Sequence, residues 1–156
     1  MVGFTAWCSA RQPSEVISRL DRLFGALDAI AAAHRVVKIK TSGDGYMGLV
    51  GALTPADDPL GQALACAQAF VRAAPAAVPG WQVRAGVHVG PLITGVVGRD
   101  GHQFDAWGDR VNLAARLCAA ARPSTVAVVP APGEPEPAWI WRGVLPLKGK
   151  GDVELG

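Results

Sequence analysis

The sequence predicts an α+β domain of the ferredoxin-like class, palm-like in form, with helices packed on one face of a largely antiparallel sheet. Apolar residues recur at helical spacing over 13–34, and an alanine-rich segment over 60–74 predicts a second helix. Segments rich in β-branched residues over 36–42, 81–89 and 125–129 predict strands. The resulting order is β-α-β-β-α-β with additions, which is the order of ferredoxin-like folds.

The first residues of the chain read as the end of a strand. Residues 1–5 are Met-Val-Gly-Phe-Thr, and we expect this strand to begin upstream of Met1. A length of 156 residues is typical of one domain. We therefore expect a single domain over 1–156 whose N-terminal strand is truncated.

The predicted strand at 36–42 alternates between apolar and basic residues. Val37 and Ile39 are expected on one face, and Lys38 and Lys40 on the other. Taken alone, the two lysines are explained equally well by a solvated strand face.

The remaining elements are shorter. We predict a turn and strand at 90–98, a polar loop at 99–103, a helix at 109–121, an exposed Pro-rich segment at 130–138 and two strands within 139–155. Asp109 is the expected N-cap of its helix. His88, inside a predicted strand, is expected to be structural.

Composition excludes several classes of function. Half of the residues are hydrophobic and 18% are charged, which is typical of a folded globular protein. A formal net charge of +2 indicates neither a nucleic-acid partner nor a membrane surface. Three separated cysteines, no signal-peptide pattern and no membrane-length apolar run predict reduced thiols and a cytoplasmic domain.

The string GDGYMGLV at 43–50 matches G-x-G-x-x-G-x-V, a pattern shared by dinucleotide-binding loops and protein kinases. A dinucleotide site needs a helix directly after the glycines, but Gly48, Gly51 and Pro55 exclude a long helix there. The kinase motifs V-A-I-K, H-R-D and D-F-G are absent from the chain. We therefore interpret the glycines as part of a β-hairpin.

The turn of this hairpin is predicted at Asp44 and Gly45, because Asp-Gly is a strong signal for a two-residue loop. Gly45 is expected to take a positive φ angle, as Gly43 also can. Asp44 then stands at the tip, before a return strand at 46–50. Its carboxylate either projects beyond the sheet or bonds its own backbone as a turn former.

Five motifs together resemble the catalytic domain of class III nucleotidyl cyclases, the adenylyl and guanylyl cyclases. In chain order they are VGFTAWCS, VVKIKTSGDGYMGLVG, VRAGVHVGPLITGVVG, FDAWGDRVNLAARL and LKGKGDVEL. The resemblance runs from Met1 to about Leu155. It implies a bacterial-type homodimeric adenylyl cyclase that converts ATP to 3′,5′-cyclic AMP and pyrophosphate.

The resemblance implies two divalent cations, Mg²⁺ or Mn²⁺, held by two aspartates. One aspartate matches Asp44, and the other belongs directly before Met1 and is absent from the sequence. Met1 matches a residue whose backbone carbonyl binds a metal. The ions assist attack of the ribose 3′-hydroxyl on the α-phosphorus. The backbone N–H groups that match a phosphate-binding turn are those of Val2, Gly3, Phe4 and Thr5.

Base selection in this family uses a lysine and an acid, which match Lys40 and Asp105. A lysine can donate to adenine N1 and a carboxylate can accept from the exocyclic amine, whereas guanine presents the opposite pattern. The resemblance therefore implies ATP rather than GTP as substrate. Ala106 and Trp107, which follow the acid, are assigned to substrate binding, with Trp107 packed near the purine site or the dimer seam.

Asn112 and Arg116 lie four residues apart on a predicted helix and therefore share one face. The resemblance assigns Asn112 to orient the ribose and Arg116 to stabilise charge on the α-phosphate, although an ordinary polar helix face has the same spacing. Lys148 matches a lysine that contacts the terminal phosphates. Pro91 stands where some members have a phosphate-binding arginine, so that role is not assigned.

In this family the metal aspartates come from one catalytic domain, and the purine pair with the Asn and Arg comes from a second. This chain carries both sets, so the resemblance implies a homodimer with two shared active sites. One alternative is a catalytically impaired nucleotide-binding or regulatory module, because the first metal aspartate is missing. A diguanylate cyclase is disfavoured, because residues 42–46 do not read G-G-[DE]-E-F.

Overall fold

The structure is a computed structural model that describes residues 1–98 and 103–129 and the two strands at 143–147 and 151–155. These parts form helices and strands in the mixed order expected of an α+β fold. The helices are α1 (Phe4–Cys8), α2 (Pro13–Ala33), α3 (Pro59–Ala77) and α4 (Asp109–Ala120). The strands are β1 (Val37–Ser42), β2 (Gly45–Leu49), β3 (Ala85–His88), β4 (Ile93–Val97), β5 (Gln103–Trp107), β6 (Val126–Val129), β7 (Gly143–Leu147) and β8 (Gly151–Leu155).

Backbone hydrogen bonds join these strands in pairs. β1–β2, β4–β5 and β7–β8 are antiparallel, whereas β3–β6 is parallel. The pairing is therefore largely antiparallel, as predicted, and the two predicted C-terminal strands are confirmed. The Pro-rich segment at 130–138 lies outside the described residues.

The largest core cluster lies where α2 meets α3 and the segment that leads to β3. Leu23 and Leu27 are one helical turn apart on α2 and are almost completely buried. They pack with Ala74, Val78 and Trp81. This burial of one stripe of α2 confirms the helical spacing that predicted the helix.

Two smaller clusters hold the second half of the fold together. Leu60 and Leu64 of α3 pack against Val87 of β3 and Val128 of β6. Leu113 and Leu117 of α4 pack against Ala127 and Val129 of β6. Together these contacts place α4 beside the β3–β6 pair.

A glycine allows α4 to cross close to β3. A Cβ atom added at Gly86 would lie 2.2 Å from the backbone nitrogen of Cys118 and 2.3 Å from the carbonyl oxygen of Ala114. Both atoms belong to the α4 backbone, which cannot give way as a flexible side chain does. Only glycine fits this crossing.

The prediction that residues 1–5 form the end of a strand is wrong. Gly3 has a φ angle of 68°, which turns the chain, and α1 begins at Phe4. The Val2 N–H donates to the carbonyl oxygen of Gln82 at 3.0 Å. Residues 1–2 therefore lie beside the segment that precedes β3.

Three further boundaries differ from prediction. The strand expected at 81–89 is limited to β3, because Trp81 belongs to a turn in which its N–H donates to the Val78 carbonyl. The sequence predicts no strand at β5, because Gln103, its first residue, lies in the predicted polar loop at 99–103. Gly108, not Asp109, is the N-cap of α4, and its φ angle of 132° suits glycine. The Asp109 carboxylate lies in the first turn, where its negative charge interacts favourably with the positive end of the helix dipole.

Candidate active site

The tip of the β1–β2 hairpin carries Asp44. Ser42 pairs with Gly45, so the loop residues are Gly43 and Asp44, one position earlier than predicted. Gly43 has the positive φ angle, 56°, whereas the positive φ expected at Gly45 is not observed. A glycine with positive φ at the first loop position is typical of type II′ hairpins. The Asp44 side chain remains about one third exposed, at 31%.

The two predicted metal residues are neighbours. The backbone nitrogen of Met1 lies 2.5 Å from Oδ2 of Asp44. A carboxylate and a backbone carbonyl are the hard oxygen ligands that Mg²⁺ and Mn²⁺ take. No group of three or more His, Cys, Asp or Glu side chains gathers in the described part of the chain. Asp44 therefore offers one carboxylate of the kind that a divalent cation binds, and this carboxylate also accepts from the Met1 nitrogen.

The predicted phosphate-binding turn coincides with the start of α1. The first N–H groups of a helix have no partner inside the helix, so such a turn can donate to anionic oxygens. The Val2 N–H is already used by Gln82. Gly3, Phe4 and Thr5 therefore remain as the backbone donors of this turn.

The predicted base-reading pair is assembled within one chain. Lys40 Nζ donates to Oδ2 of Asp105 at 2.6 Å, although 65 residues separate them. The Asp105 side chain is nearly buried, and its Oδ1 accepts the N–H of Ala106 at 2.8 Å. The hydrogen bond from Lys40, followed by the one from Ala106, lowers the pKa of Asp105. Asp105 is therefore a fixed carboxylate acceptor with a donor beside it.

Lys38 and Lys40 do not share a face, contrary to prediction. The β1–β2 register shifts between them, so that Lys38 pairs with Gly48 and Lys40 with Met47. This β-bulge adds one residue to β1 and breaks the alternation of side chains. Lys38 contacts Tyr46 on one face. Lys40 pairs with Met47, the neighbour of Tyr46 in β2, and so lies on the other face.

A shallow cavity of about 270 Å³ lies beside β4, the strand that pairs with Ala106 and Trp107. Ala106 is buried and pairs with Thr94, which lines the cavity. Trp107 is 39% exposed and pairs with Ile93. The cavity is also bordered by residues 49–52, Gly90 and Leu92.

Asn112 and Arg116 both lie on the exposed side of α4, next to the buried Leu113 and Leu117. Their shared face, predicted from the spacing, is confirmed by the helix. Lys148 lies outside the described residues. The roles of Asn112 and Arg116 toward a nucleotide remain predictions.

His88 has a structural arrangement, as expected. Arg110 donates to His88 Nε2 at 2.9 Å, and His88 Nδ1 lies 2.8 Å from the Val129 carbonyl oxygen. Because the guanidinium can only donate, Nε2 accepts and Nδ1 carries the proton. His88 thereby links β3 and β6 to the first turn of α4.

No sequence pattern indicates the polar cluster that joins α2 to the hairpin. Asp28 of α2 accepts hydrogen bonds from Lys38 of β1 and from Tyr46 of β2. Asp28 lies in a helix whose pattern was interpreted only through its apolar residues. Tyr46 is the only tyrosine of the chain, but nothing near it in sequence indicates its partner.

Comparisons with known proteins identify the family of the chain. The family model of the adenylate and guanylate cyclase catalytic domain matches residues 1–153, and the chain belongs to this family. It is 38% identical to a germination-specific adenylate cyclase of Dictyostelium discoideum over 125 residues, which cover 75% of the chain and 14% of that protein. It is 34% identical to retinal guanylyl cyclase 2 of Bos taurus over 170 aligned positions, which cover 99% of the chain and 15% of that protein.

The fold is also that of solved cyclase domains. The guanylate cyclase domain of RhGC from Catenaria anguillulae, solved in complex with GTP, superposes with a TM-score of 0.85 at 22% identity. The match covers 99% of this chain and 88% of that domain. The chain is therefore a class III nucleotidyl cyclase catalytic domain, and it spans about one seventh of the two relatives named above. These relatives include both adenylate and guanylate cyclases.

No helix among the described residues combines the length and the apolar content needed to cross a membrane.

Proposed function

We propose that residues 1–156 form the catalytic domain of an adenylyl cyclase that converts ATP to 3′,5′-cyclic AMP and pyrophosphate. The observation that supports this best is the contact between Lys40 and Asp105. An ammonium beside a fixed carboxylate offers one donor and one acceptor, which matches the N1 and amine edge of adenine. Guanine presents a donor and an acceptor in the opposite order and is disfavoured.

The chemistry needs no covalent intermediate on the protein. The ribose 3′-oxygen attacks the α-phosphorus, the bond to the bridging oxygen breaks, and pyrophosphate leaves. Asn112 orients the ribose, and the Arg116 guanidinium stabilises the added charge on the α-phosphate oxygens. Lys148 binds the terminal phosphates, and the N–H groups of Gly3 to Thr5 hold phosphate oxygens.

Asp44 and the Met1 carbonyl would hold a divalent cation. When bound, such cations lower the pKa of the attacking hydroxyl and neutralise charge on the leaving group. The Asp44 carboxylate is held at the hairpin tip, where the short loop leaves it accessible. A two-ion site needs a further carboxylate, and the family pattern places it directly before Met1.

We propose that the protein acts as a homodimer. On β4, Ile93, Val96 and Val97 are each more than half exposed, at 69%, 58% and 51%. Neighbouring residues of a strand point to opposite faces, so both faces of this strand are apolar and open. A second copy that covers the β4–β5 pair would bury them and would bring Asn112 and Arg116 to the hairpin of its partner.

The function is tested by turnover of ATP and GTP with Mn²⁺ and with Mg²⁺, with cyclic nucleotides quantified by mass spectrometry. We expect cyclic AMP from ATP and at least tenfold less product from GTP. Equal use of the two nucleotides would show that the Lys40–Asp105 assignment is wrong. Light scattering during gel filtration should show a dimer, and a monomer at high concentration with ATP and metal would refute the shared site.

A double variant tests the base-reading pair directly. In Lys40→Glu/Asp105→Ser, the carboxylate can accept from guanine N1–H and the hydroxyl can donate to its O6. We expect its preference to move toward GTP. The exposed residue Arg22 on α2 provides the matched charge reversal, Arg22→Glu, which should leave the preference unchanged.

A regulatory or nucleotide-binding module with impaired catalysis is the second candidate. Binding of ATP by calorimetry without cyclic AMP formation, in the full-length protein with Mn²⁺, would favour this candidate.

The free thiols Cys8, Cys66 and Cys118 suit a reducing compartment, and we propose a cytoplasmic location for the domain.

A further inference from the structure

We propose that Asp28 is a positioning residue that fixes the β1–β2 hairpin on α2 and thereby sets the positions of Lys40 and Asp44. The proposal rests on the proposed function only in the roles it gives to Lys40 and Asp44. The mechanical part, that Asp28 holds the hairpin, can be tested without a nucleotide.

One carboxylate joins α2 to both strands of the hairpin. Oδ2 of Asp28 accepts a hydrogen bond from Lys38 Nζ of β1 at 2.7 Å. Its Oδ1 accepts from the Tyr46 hydroxyl of β2 at 2.9 Å. The Lys38 ammonium also lies 5.3 Å from the centre of the Tyr46 ring. We call Asp28, Lys38 and Tyr46 the Asp28 cluster.

The cluster lies next to both functional residues of the hairpin. Lys38 precedes Lys40 by two residues, and Tyr46 follows Asp44 by two. At about 3.3 Å per strand residue, each anchored residue lies within roughly 7 Å along the chain of the residue that it positions. A displacement of the hairpin on α2 would therefore move Lys40 and Asp44 together.

The β-bulge makes this anchoring specific to Lys40. The extra residue between Lys38 and Lys40 sends their side chains to opposite faces. If the bulge moved along β1, the face presented by Lys40 would change and its bond to Asp105 would be lost. Holding Lys38 at Asp28 fixes the bulge on one side, and the Lys40–Asp105 contact fixes it on the other.

Packing and charge favour a tight contact at Tyr46. Its ring lies 5.1 Å from that of Phe70 and 6.3 Å from that of Phe24, measured between centroids. Burial, and then the hydrogen bond to Asp28, raise the pKa of Tyr46, so its hydroxyl remains a donor at neutral pH. Lys38 and Asp28 are partly exposed, so their ion pair alone contributes little. The hairpin is therefore held mainly by the hydrogen bond from Tyr46 to Asp28, the carboxylate that also accepts from Lys38.

The test measures amide hydrogen exchange by NMR in Asp28→Asn and Asp28→Ala. We expect exchange at residues 38–47 to become at least about tenfold faster, because loss of even one of the two hydrogen bonds to the charged carboxylate corresponds to about that factor. The matched control is Glu15→Gln on the same helix, which breaks the ion pairs of Glu15 with Arg11 and Arg19 but does not reach the hairpin. The control should leave exchange at 38–47 unchanged.

Two further variants separate anchoring from general stability. Tyr46→Phe keeps the ring packing and removes one hydrogen bond, and Lys38→Met removes the other. We expect faster exchange at 38–47 in both variants, while amides of α4 stay at the wild-type rate. Unchanged exchange at 38–47, or an equal increase across the whole protein, would overturn the proposal.

The functional readout is the ratio of kcat/KM for ATP to that for GTP. We expect Tyr46→Phe to lower this ratio about tenfold through the displaced Lys40, whereas Glu15→Gln keeps it. A ratio that stays at the wild-type value while exchange at 38–47 rises would overturn the link to Lys40. If the wild-type protein converts neither nucleotide, the proposed function fails, and the exchange experiment still decides whether Asp28 holds the hairpin.

Discussion

Substitution of Gly86 by alanine should disrupt the crossing of α4 over β3. The added Cβ would lie 2.2 Å and 2.3 Å from backbone atoms of Cys118 and Ala114, whereas ordinary contacts begin at 3.4 Å. The helix must therefore move by about 1 Å. Such overpacking costs about 1–3 kcal/mol. For a domain of this size that loss lowers Tm by about 2–12 °C.

The same displacement should affect catalysis more than stability. Asn112 and Arg116 lie on α4, and a misplacement of about 1 Å of a catalytic group can lower the rate about 100-fold. Differential scanning calorimetry and turnover of ATP measure the two effects. Because we propose that Asn112 and Arg116 act on the ribose and the α-phosphate, we expect kcat to fall more than KM rises.

Gly25 provides the matched control. It is exposed in the middle of α2, and a Cβ there meets no heavy atom within 4 Å. Gly25→Ala should stabilise the protein by about 0.5–1 kcal/mol through helix propensity. A Gly86→Ala protein with wild-type Tm and activity would refute the reasoning about the crossing.

Three further outcomes follow from burial and charge. Cys66 is buried and its pKa is raised to about 11, so a thiol reagent at pH 8 should modify it only after unfolding and after the other two cysteines. Lys40 lowers the pKa of Asp105, so the pair stabilises the fold above the unfolded carboxyl pKa of about 3.9, and this stabilisation is lost as pH falls through the lower pKa of the folded protein. Carbon NMR titration should show a higher Asp105 pKa in Lys40→Met. Leu117 is completely buried, and Leu117→Ala should cost about 2–5 kcal/mol in urea unfolding.

The sequence predicts the regular elements that bury a periodic face. The α2 helix follows prediction closely because its apolar residues recur at helical spacing. The α3 helix, predicted over 60–74 from its alanine content, runs on through Pro75 to Ala77, where a turn is predicted. β5 was missed because only Phe104, Ala106 and Trp107 among its residues are apolar, and its pairing with β4 decides its conformation. Tertiary pairing overrides weak local preference in such a strand.

Local geometry within the hairpin was less predictable. Asp44 was placed at the tip, but the loop begins one residue earlier, since Gly43 rather than Gly45 takes the positive φ angle. The bulge beside Lys40 has no sequence signature, because Ile39 continues the alternation that predicted a regular strand. Strand register depends on partners, and those partners become visible only in the fold.

A motif names candidate site residues, whereas a contact between residues outside any motif leaves no trace in the sequence. The Lys40–Asp105 contact joins two motifs 65 residues apart, and the structure confirms that they meet. Asp28 belongs to no motif and was missed, although it contacts both strands of the hairpin. Residues that position others are defined by three-dimensional neighbours rather than by spacing.

The most direct test of the central claim is a crystal structure with a non-cyclising ATP analogue and Mn²⁺. It should show adenine N1 within hydrogen-bonding distance of Lys40 Nζ and the exocyclic amine against Asp105 Oδ2, with the α-phosphate beside Arg116 of a second copy. The account would be contradicted if the purine bound elsewhere and Lys40 and Asp105 stayed 2.6 Å apart without contacting the base.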